Sequence, residues 1–245
     1  MTWLSQFDNV LNDGVDLQKT AEGIYSVVRG HGADFYDKQA WLYDFVVGGR
    51  AYNRLVWGCP VAHYRDACDQ ALAGKEGPII DIGCGSLVFT AESHARIRNH
   101  LIVLTDMSIG MLCRARDRLH RLRGGRIDNI FLLQADATSL PFKSNAFSQT
   151  MSWGALHVMP DQCAFIDELN RVTRPDGGIS LSSLVTNRSF GARYLQLLQR
   201  NGHISALHSS SEVLGLLHRH RRAANVTVVG NMAFASAACG DGDQQ

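Results

Sequence analysis

The apolar run Pro78-Ile79-Ile80-Asp81-Ile82 breaks abruptly at Gly83-Cys84-Gly85-Ser86, and this junction constrains the fold more than any other feature of the chain. It reads as a buried strand running into a turn. Glycines there let the backbone take positive φ and remove the side chains that would hold a ligand away from the peptide groups. Beyond the junction the sequence alternates between two periodicities. Apolar runs at 78–82, 101–105, 129–135, 147–153 and 178–185 are separated by helical stripes at about 87–98, 108–123 and 160–173. Such alternation implies parallel strands joined by crossover helices. The helix at 108–123 has Ser108 as N-cap, a stripe of Leu112, Ala115, Leu119 and Leu122, and a stop at Gly124-Gly125. Arg174-Pro175-Asp176-Gly177-Gly178 reads as a turn delivering the next strand. Two further helices are expected at about 189–200 and 210–219, and the runs 225–230 and 232–238, parted by Gly230-Asn231, read as a closing antiparallel hairpin. Residues 3–73 read as helical, with a stripe of aromatics and aliphatics from Phe35 to Val46 and no strand series.

Composition narrows the class. A length of 245 residues fits one large α/β domain, and a formal net charge of +1 lacks the basic excess of a dedicated nucleic-acid binder. No window approaches about 18 consecutive apolar residues, and Met1-Thr2-Trp3-Leu4-Ser5-Gln6-Phe7-Asp8 lacks the layout of a signal peptide. A cytoplasmic protein without membrane insertion is the expectation. Cys59, Cys68, Cys84, Cys113, Cys163 and Cys239 are dispersed with no C-x-x-C pair, which supports neither a zinc site nor a disulfide framework.

The chemistry is concentrated at strand ends. Asp81, Asp106 and Asp136 close three successive apolar runs, at the edge where open α/β sheets bind ligands. Asp106 lies 21 residues beyond Gly85, the distance at which a second-strand carboxylate accepts from ribose hydroxyls. A dinucleotide site would want a third glycine three positions after Gly85, and Val88 stands there. An acid in front of the glycine turn favours a ligand bearing an amine over one bearing phosphates. Each aspartate singly could be a helix cap; three at successive strand ends favour a ligand site.

With these residues in place the sequence resembles the class I S-adenosylmethionine-dependent methyltransferases, in the small-molecule branch similar to ubiquinone/menaquinone C-methyltransferases. The resemblance runs from about residue 33 to 185. It rests on Ile80-Asp81-Ile82-Gly83-Cys84-Gly85-Ser86, on Thr105-Asp106-Met107-Ser108 with Met111-Leu112, on Gln134-Ala135-Asp136-Ala137 with Leu140-Pro141-Phe142, and on Glu168-Leu169-Asn170-Arg171-Val172 with Arg174-Pro175-Asp176-Gly177-Gly178. It implies a Rossmann-like, seven-stranded, mostly parallel sheet with a C-terminal antiparallel hairpin. Residues 1–73 would form an N-terminal helical cap and 74–240 the core, with a helical insert at about 187–222. It implies S-adenosylmethionine as cofactor, with S-adenosylhomocysteine as product and no metal. By resemblance, Asp81 faces the methionine amino group, Gly83 and Gly85 let the backbone approach, and Asp106 holds the ribose. Met107 packs on the adenine, Asp136 accepts from its amino group beside the Ala137 backbone, and Tyr36 and Ser152 join the cofactor set.

One departure stands out. The family usually writes Gly-x-Gly-x-Gly, and the third position here is Leu87. A leucine forced to positive φ would be strained, whereas one that begins the next helix is harmless, and the harmless reading is the expectation. His157, just after the fourth run, is the candidate catalytic residue, a general base for a hydroxyl or amine acceptor; a packed, hydrogen-bonded histidine is the competing reading. The basic series Arg114, Arg116, Arg118, Arg121, Arg123 and Arg126, interrupted by Asp117, reads as a solvated helix face. The expected function is methyl transfer to a small organic acceptor at O, N or C. An RNA methyltransferase, or a cofactor-binding relative with other chemistry or none, are the alternatives. Oligomeric state is not encoded in any motif.

Overall fold

The structure, a computed structural model, describes residues 2–28, 49–187, 189–202, 204–206, 208–219 and 223–238. Its elements in chain order are α1 (Trp3–Val10), β1 (Gln18–Lys19), β2 (Tyr25–Ser26), a short turn Arg50–Tyr52 passing into a π-helical turn Asn53–Trp57, α2 (Ala62–Leu72), β3 (Ile79–Ile82), α3 (Ala91–Arg96), β4 (Ile102–Asp106), α4 (Ile109–Arg123) and β5 (Ile130–Gln134). After these come β6 (Phe147–Trp153), a 3₁₀ turn Leu156–Val158, α5 (Gln162–Val172), β7 (Thr173–Leu184), α6 (Ser189–Arg200), α7 (Ser210–His218), β8 (Ala223–Val229) and β9 (Met232–Ala238). The Phe35–Val46 stripe lies outside the described residues.

All strands join one sheet in the order β1-β2-β5-β4-β3-β6-β7-β9-β8. The six central strands from β2 to β7 run parallel, and β9 and β8 close the edge as the expected antiparallel hairpin. Two expectations are corrected. Among the described residues the sheet has nine strands, not seven, because the N-terminal segment is not wholly helical: β1 and β2 form a two-residue-deep hairpin, and β2 adds in parallel to β5. Strands that short carry no period of two, so the sequence hid them. Arg174–Gly178 is not a turn between elements but a bulge inside β7. Thr173 pairs with Phe147 and Gly178 already pairs with Gln149, so Arg174 to Gly177 bow outward opposite the single residue Ser148.

The sheet is buried on both faces, as parallel strands require. Ile80, Ile82, Val103, Phe131 and Leu133 project into one core with Phe7 of α1 and Phe165 of α5. Alternate residues Ile102, Leu104, Ile130 and Leu132 meet Ala91 of α3 and Leu112 and Leu119 of α4 on the other face. Capping follows the sequence: Ser108 Oγ accepts the Met111 N–H at 3.1 Å, and Gly124 ends α4 at φ +64.

The arginines of α4 depart from the solvated-face expectation. Arg123 is buried and donates to the carbonyls of His94, Ala95 and Ile97, which end α3, and to Asn129. Arg118 reaches the glycine turn, donating to the Ser86 carbonyl at 2.5 Å and to Ser86 Oγ at 2.8 Å. Arg116 donates to Asp117 and to the Glu22 carbonyl. The basic stripe is therefore spent in part on holding α3, the turn and the N-terminal hairpin.

Candidate cofactor site

Strand order reverses between β3 and β6, and a sheet opens its ligand crevice at such a switch point, beyond the strands' carboxyl ends. There the glycine turn and the segment after β6 meet. Gly83 takes φ +65, and a Cβ added to it would come within 2.8 Å of the Ala155 Cβ. Gly85 takes φ +55, and its added Cβ would meet nothing within 4 Å, so the backbone borders open space. Leu87 also takes positive φ, +56, which corrects the expectation that it simply begins the next helix. Its side chain is 2 % exposed and lies in the core beneath α3 and α4, so it leaves the space before Gly85 unobstructed.

The strand-end carboxylates fall on neighbouring strands. Asp106 closes β4, and its two oxygens accept the Gly85 N–H at 2.8 Å and the Ser108 N–H at 2.9 Å. This carboxylate therefore ties the β3 turn to the β4 turn and stands between them. Asp136 lies just past β5; its Oδ1 accepts the N–H and hydroxyl of Thr138, both at 2.8 Å, in a tight Asx turn that leaves the residue exposed. Met107 and Ala137 are half-buried beside them. Asp81, by contrast, is fully buried within β3 and faces His94 of α3 at 3.1 Å. Ser152 is fully buried on β6, one residue out of phase with Met151, the register partner of Asp81, and so alternates to the opposite face of the sheet. Tyr36 lies outside the described residues.

His157 sits in the 3₁₀ turn after β6, buried. Its Nδ1 accepts the Leu184 N–H at 3.4 Å, so the neutral ring carries its proton on Nε2. Burial, with the nearby His208, lowers its pKa to about 4. The strap after α6 closes over this turn: Ser205 N–H donates to the His157 carbonyl at 2.9 Å and Ser205 Oγ to the Val158 carbonyl at 2.8 Å.

Sequence reasoning missed two supports of the site. Gln134, at the end of β5, donates to the Met107 carbonyl at 2.9 Å and accepts from Ser26 Oγ of β2 at 2.7 Å, so the N-terminal hairpin braces the β4 turn. Arg118 clamps Ser86, as described above. Gln134 opens the Gln134-Ala135-Asp136-Ala137 motif without a role read for it, and Arg118 was read only as part of a solvated face.

The residues suit a nucleoside carrying an amino-acid tail. A backbone cradle opens before Gly85, a carboxylate stands at the end of β4, and both buried Asp81 oxygens lack a hydrogen-bond partner among the described residues. Comparison with known proteins agrees. Residues 79–177 match the methyltransferase domain family. The demethylmenaquinone methyltransferase of Mycobacterium sp. (strain JLS) is 32 % identical over 139 residues, 56 % of this chain and 55 % of that protein. The chain thus spans about half the length of the curated relatives it matches. The geranyl diphosphate C-methyltransferase of Streptomyces coelicolor A3(2), solved with S-adenosyl-L-homocysteine, superimposes with a TM-score of 0.59 at 14 % identity, over 72 % of this chain and 74 % of that one. The [4+2]-cyclase SpnF superimposes with a TM-score of 0.63 at 18 % identity, over 84 % of this chain and 94 % of that one. The fold is the Rossmann-like fold of the class I methyltransferases, and the matched segment resembles the quinone methyltransferases among them.

Proposed function

We propose that this chain, whose residues 79–177 match a methyltransferase domain, is an S-adenosylmethionine-dependent methyltransferase that modifies a small organic acceptor at O, N or C. The observation that carries the reading is Asp106: its carboxylate is held between the glycine turn and the β4 turn by two backbone N–H groups, where a ribose would lie. A carboxylate in that position is an acceptor suited to ribose hydroxyls. Asp136 and the Ala137 backbone would meet the adenine edge, and Met107 its face. Gly83 and Gly85 would let the backbone approach the methionine segment, whose ammonium Asp81 would balance. Tyr36 and Ser152 complete the proposed cofactor set.

Bound there, the donor supplies an electrophilic methyl on a sulfonium, open to in-line displacement. The chain's own task is then to hold the acceptor close, aligned and dry, a contribution that needs no dedicated base. His157 lies on the proposed acceptor side. With Nε2 protonated it serves as a base only if Nδ1 gives up the Leu184 N–H, so His157→Ala should abolish turnover only where the acceptor must lose a proton. Retained turnover would assign it to packing.

Titration calorimetry with S-adenosylhomocysteine tests the reading. Asp106→Ala should weaken binding by roughly 1–3 kcal/mol, the cost of leaving ribose hydroxyls unpaired. An unchanged dissociation constant would remove Asp106 from the site, and no heat and no thermal shift with the unaltered protein would defeat the function.

A further inference from the structure

Behind the glycine turn two titratable side chains face each other out of reach of water. Asp81 of β3 and His94 of α3 are both 0 % exposed, with Nε2 and Oδ2 3.1 Å apart. His94 Nδ1 lies 2.9 Å from the Thr90 carbonyl oxygen, which can only accept, so Nδ1 carries a proton. The ring is thereby fixed by its own helix on one side and directed at the strand on the other. Both oxygens of Asp81 and Nε2 of His94 lack a hydrogen-bond partner among the described residues, so the 3.1 Å approach of Nε2 to Oδ2 is a close polar contact outside hydrogen-bond geometry, with Oδ1 facing away from it. A buried carboxylate oxygen left this way is costly, and it marks a place where a donor is missing.

Other groups around the pair supply no counter-charge. The Cys68 thiol of α2 is pushed up in pKa by burial and then by the charge of Asp81. The Cys84 thiol of the turn is raised by burial, then by Asp106 and Asp81. Both stay protonated and neutral. Asp106 and Asp69, the remaining charges acting on these thiols, are themselves acidic. His94 is thus the one basic side chain set against Asp81 among the described residues.

We propose that His94 is a positioning residue for the methionine end of the donor: by engaging Oδ2 of Asp81 from behind, it turns the carboxylate so that Oδ1 is presented to the donor's ammonium. The inference rests on the methyltransferase reading and deepens it to single atoms. His94 touches no reacting group. It acts through Asp81, and its effect is confined to ligands that carry the amino-acid tail.

Two probes separate this role from simple support of the fold. S-adenosylhomocysteine carries the ammonium; methylthioadenosine shares the nucleoside and lacks the tail. His94→Leu should weaken S-adenosylhomocysteine about tenfold, as loss of a close polar contact to the carboxylate would, and leave methylthioadenosine within about twofold. His94→Gln, whose amide N–H can reach Oδ2, should restore tail-dependent binding to within about threefold. In turnover, the donor KM should rise with His94→Leu while kcat at saturating donor holds. If His94→Leu does not fold, His94→Asn, too short to reach Oδ2, takes its place in the same comparison. Equal weakening of both probes, or of neither, overturns the inference alone. An unaltered protein that binds neither probe overturns the methyltransferase reading, and this inference with it.

Discussion

Leu87 shows how a residue can violate a local rule and be held by its neighbours. Its φ of +56 costs a leucine roughly 1–2 kcal/mol. Burying its side chain beside Ala91, Leu104 and Leu112 contributes about 1.5–3 kcal/mol, so packing outweighs the strain. Truncation should therefore destabilise the protein, by about 2–5 kcal/mol for Leu87→Ala. Leu87→Gly should nevertheless be more stable than Leu87→Ala by about 1 kcal/mol, the reverse of the usual order, because glycine takes this φ freely. Urea midpoints of the two variants decide it; an alanine variant that is equally or more stable would show that the turn carries no strain. His157 makes a second prediction at this scale. Its pKa falls from 6.5 to about 4 on folding, so the unfolded chain binds its proton more readily. Stability is then full above pH 6.5 and declines as pH drops towards 4, by about 3 kcal/mol for this group. His157→Gln should flatten that part of the pH–stability curve, and identical acid slopes in the two proteins would refute it.

Among the elements, α5 does more than cover the sheet. Glu168 accepts the Leu140 N–H at 2.6 Å, and Arg171 donates to both Glu168 oxygens at 2.7 Å and to the carbonyls of Phe142 and Leu140. The helix thereby pins the segment that follows Asp136 and Ala137. Arg171→Ala leaves the nearly buried Glu168 without its partner. Because the arginine is itself a third exposed, a loss of about 2 kcal/mol is expected rather than the full cost of a dry pair. Chemical denaturation should show that loss, and S-adenosylhomocysteine should bind more weakly as the Asp136 segment loosens; unchanged stability would mean the pair is solvated. Leu140-Pro141-Phe142 and Glu168-Leu169-Asn170-Arg171 were each visible in the sequence as motifs. That one grips the other was not, because residues 28 apart carry no record of their contact in local spacing. The same holds for Arg118 and Ser86, and for Gln134 and Ser26. The parallel strands and the aspartates at their ends were readable because periodicity and strand-end placement are local properties. The two-residue strands of the N-terminal hairpin were not, since they exist only through pairing with β5.

For the whole molecule, the fold bears on where a ligand would go more than on what is done to it. The same scaffold underlies a geranyl diphosphate C-methyltransferase and a [4+2]-cyclase, so fold alone does not select the reaction. What selects it is whether the cleft places a nucleophile in line with the donor's methyl. On the proposed reading, the acceptor would be met by parts of the chain without shared motifs. Trp57 of the π-helical turn and Tyr194 of α6 pack together in a small core of their own, with ring centroids 5.6 Å apart. A neutral His157 is consistent with an acceptor positioned by contact rather than activated by proton transfer. Supplied with a donor labelled in its methyl group and a panel of small quinones and phenols, the protein should yield a product heavier by one labelled CH₂ and one S-adenosylhomocysteine per turnover. Conversion of an acceptor with the label left in the donor and no S-adenosylhomocysteine formed would assign the chain to the non-methylating users of this fold.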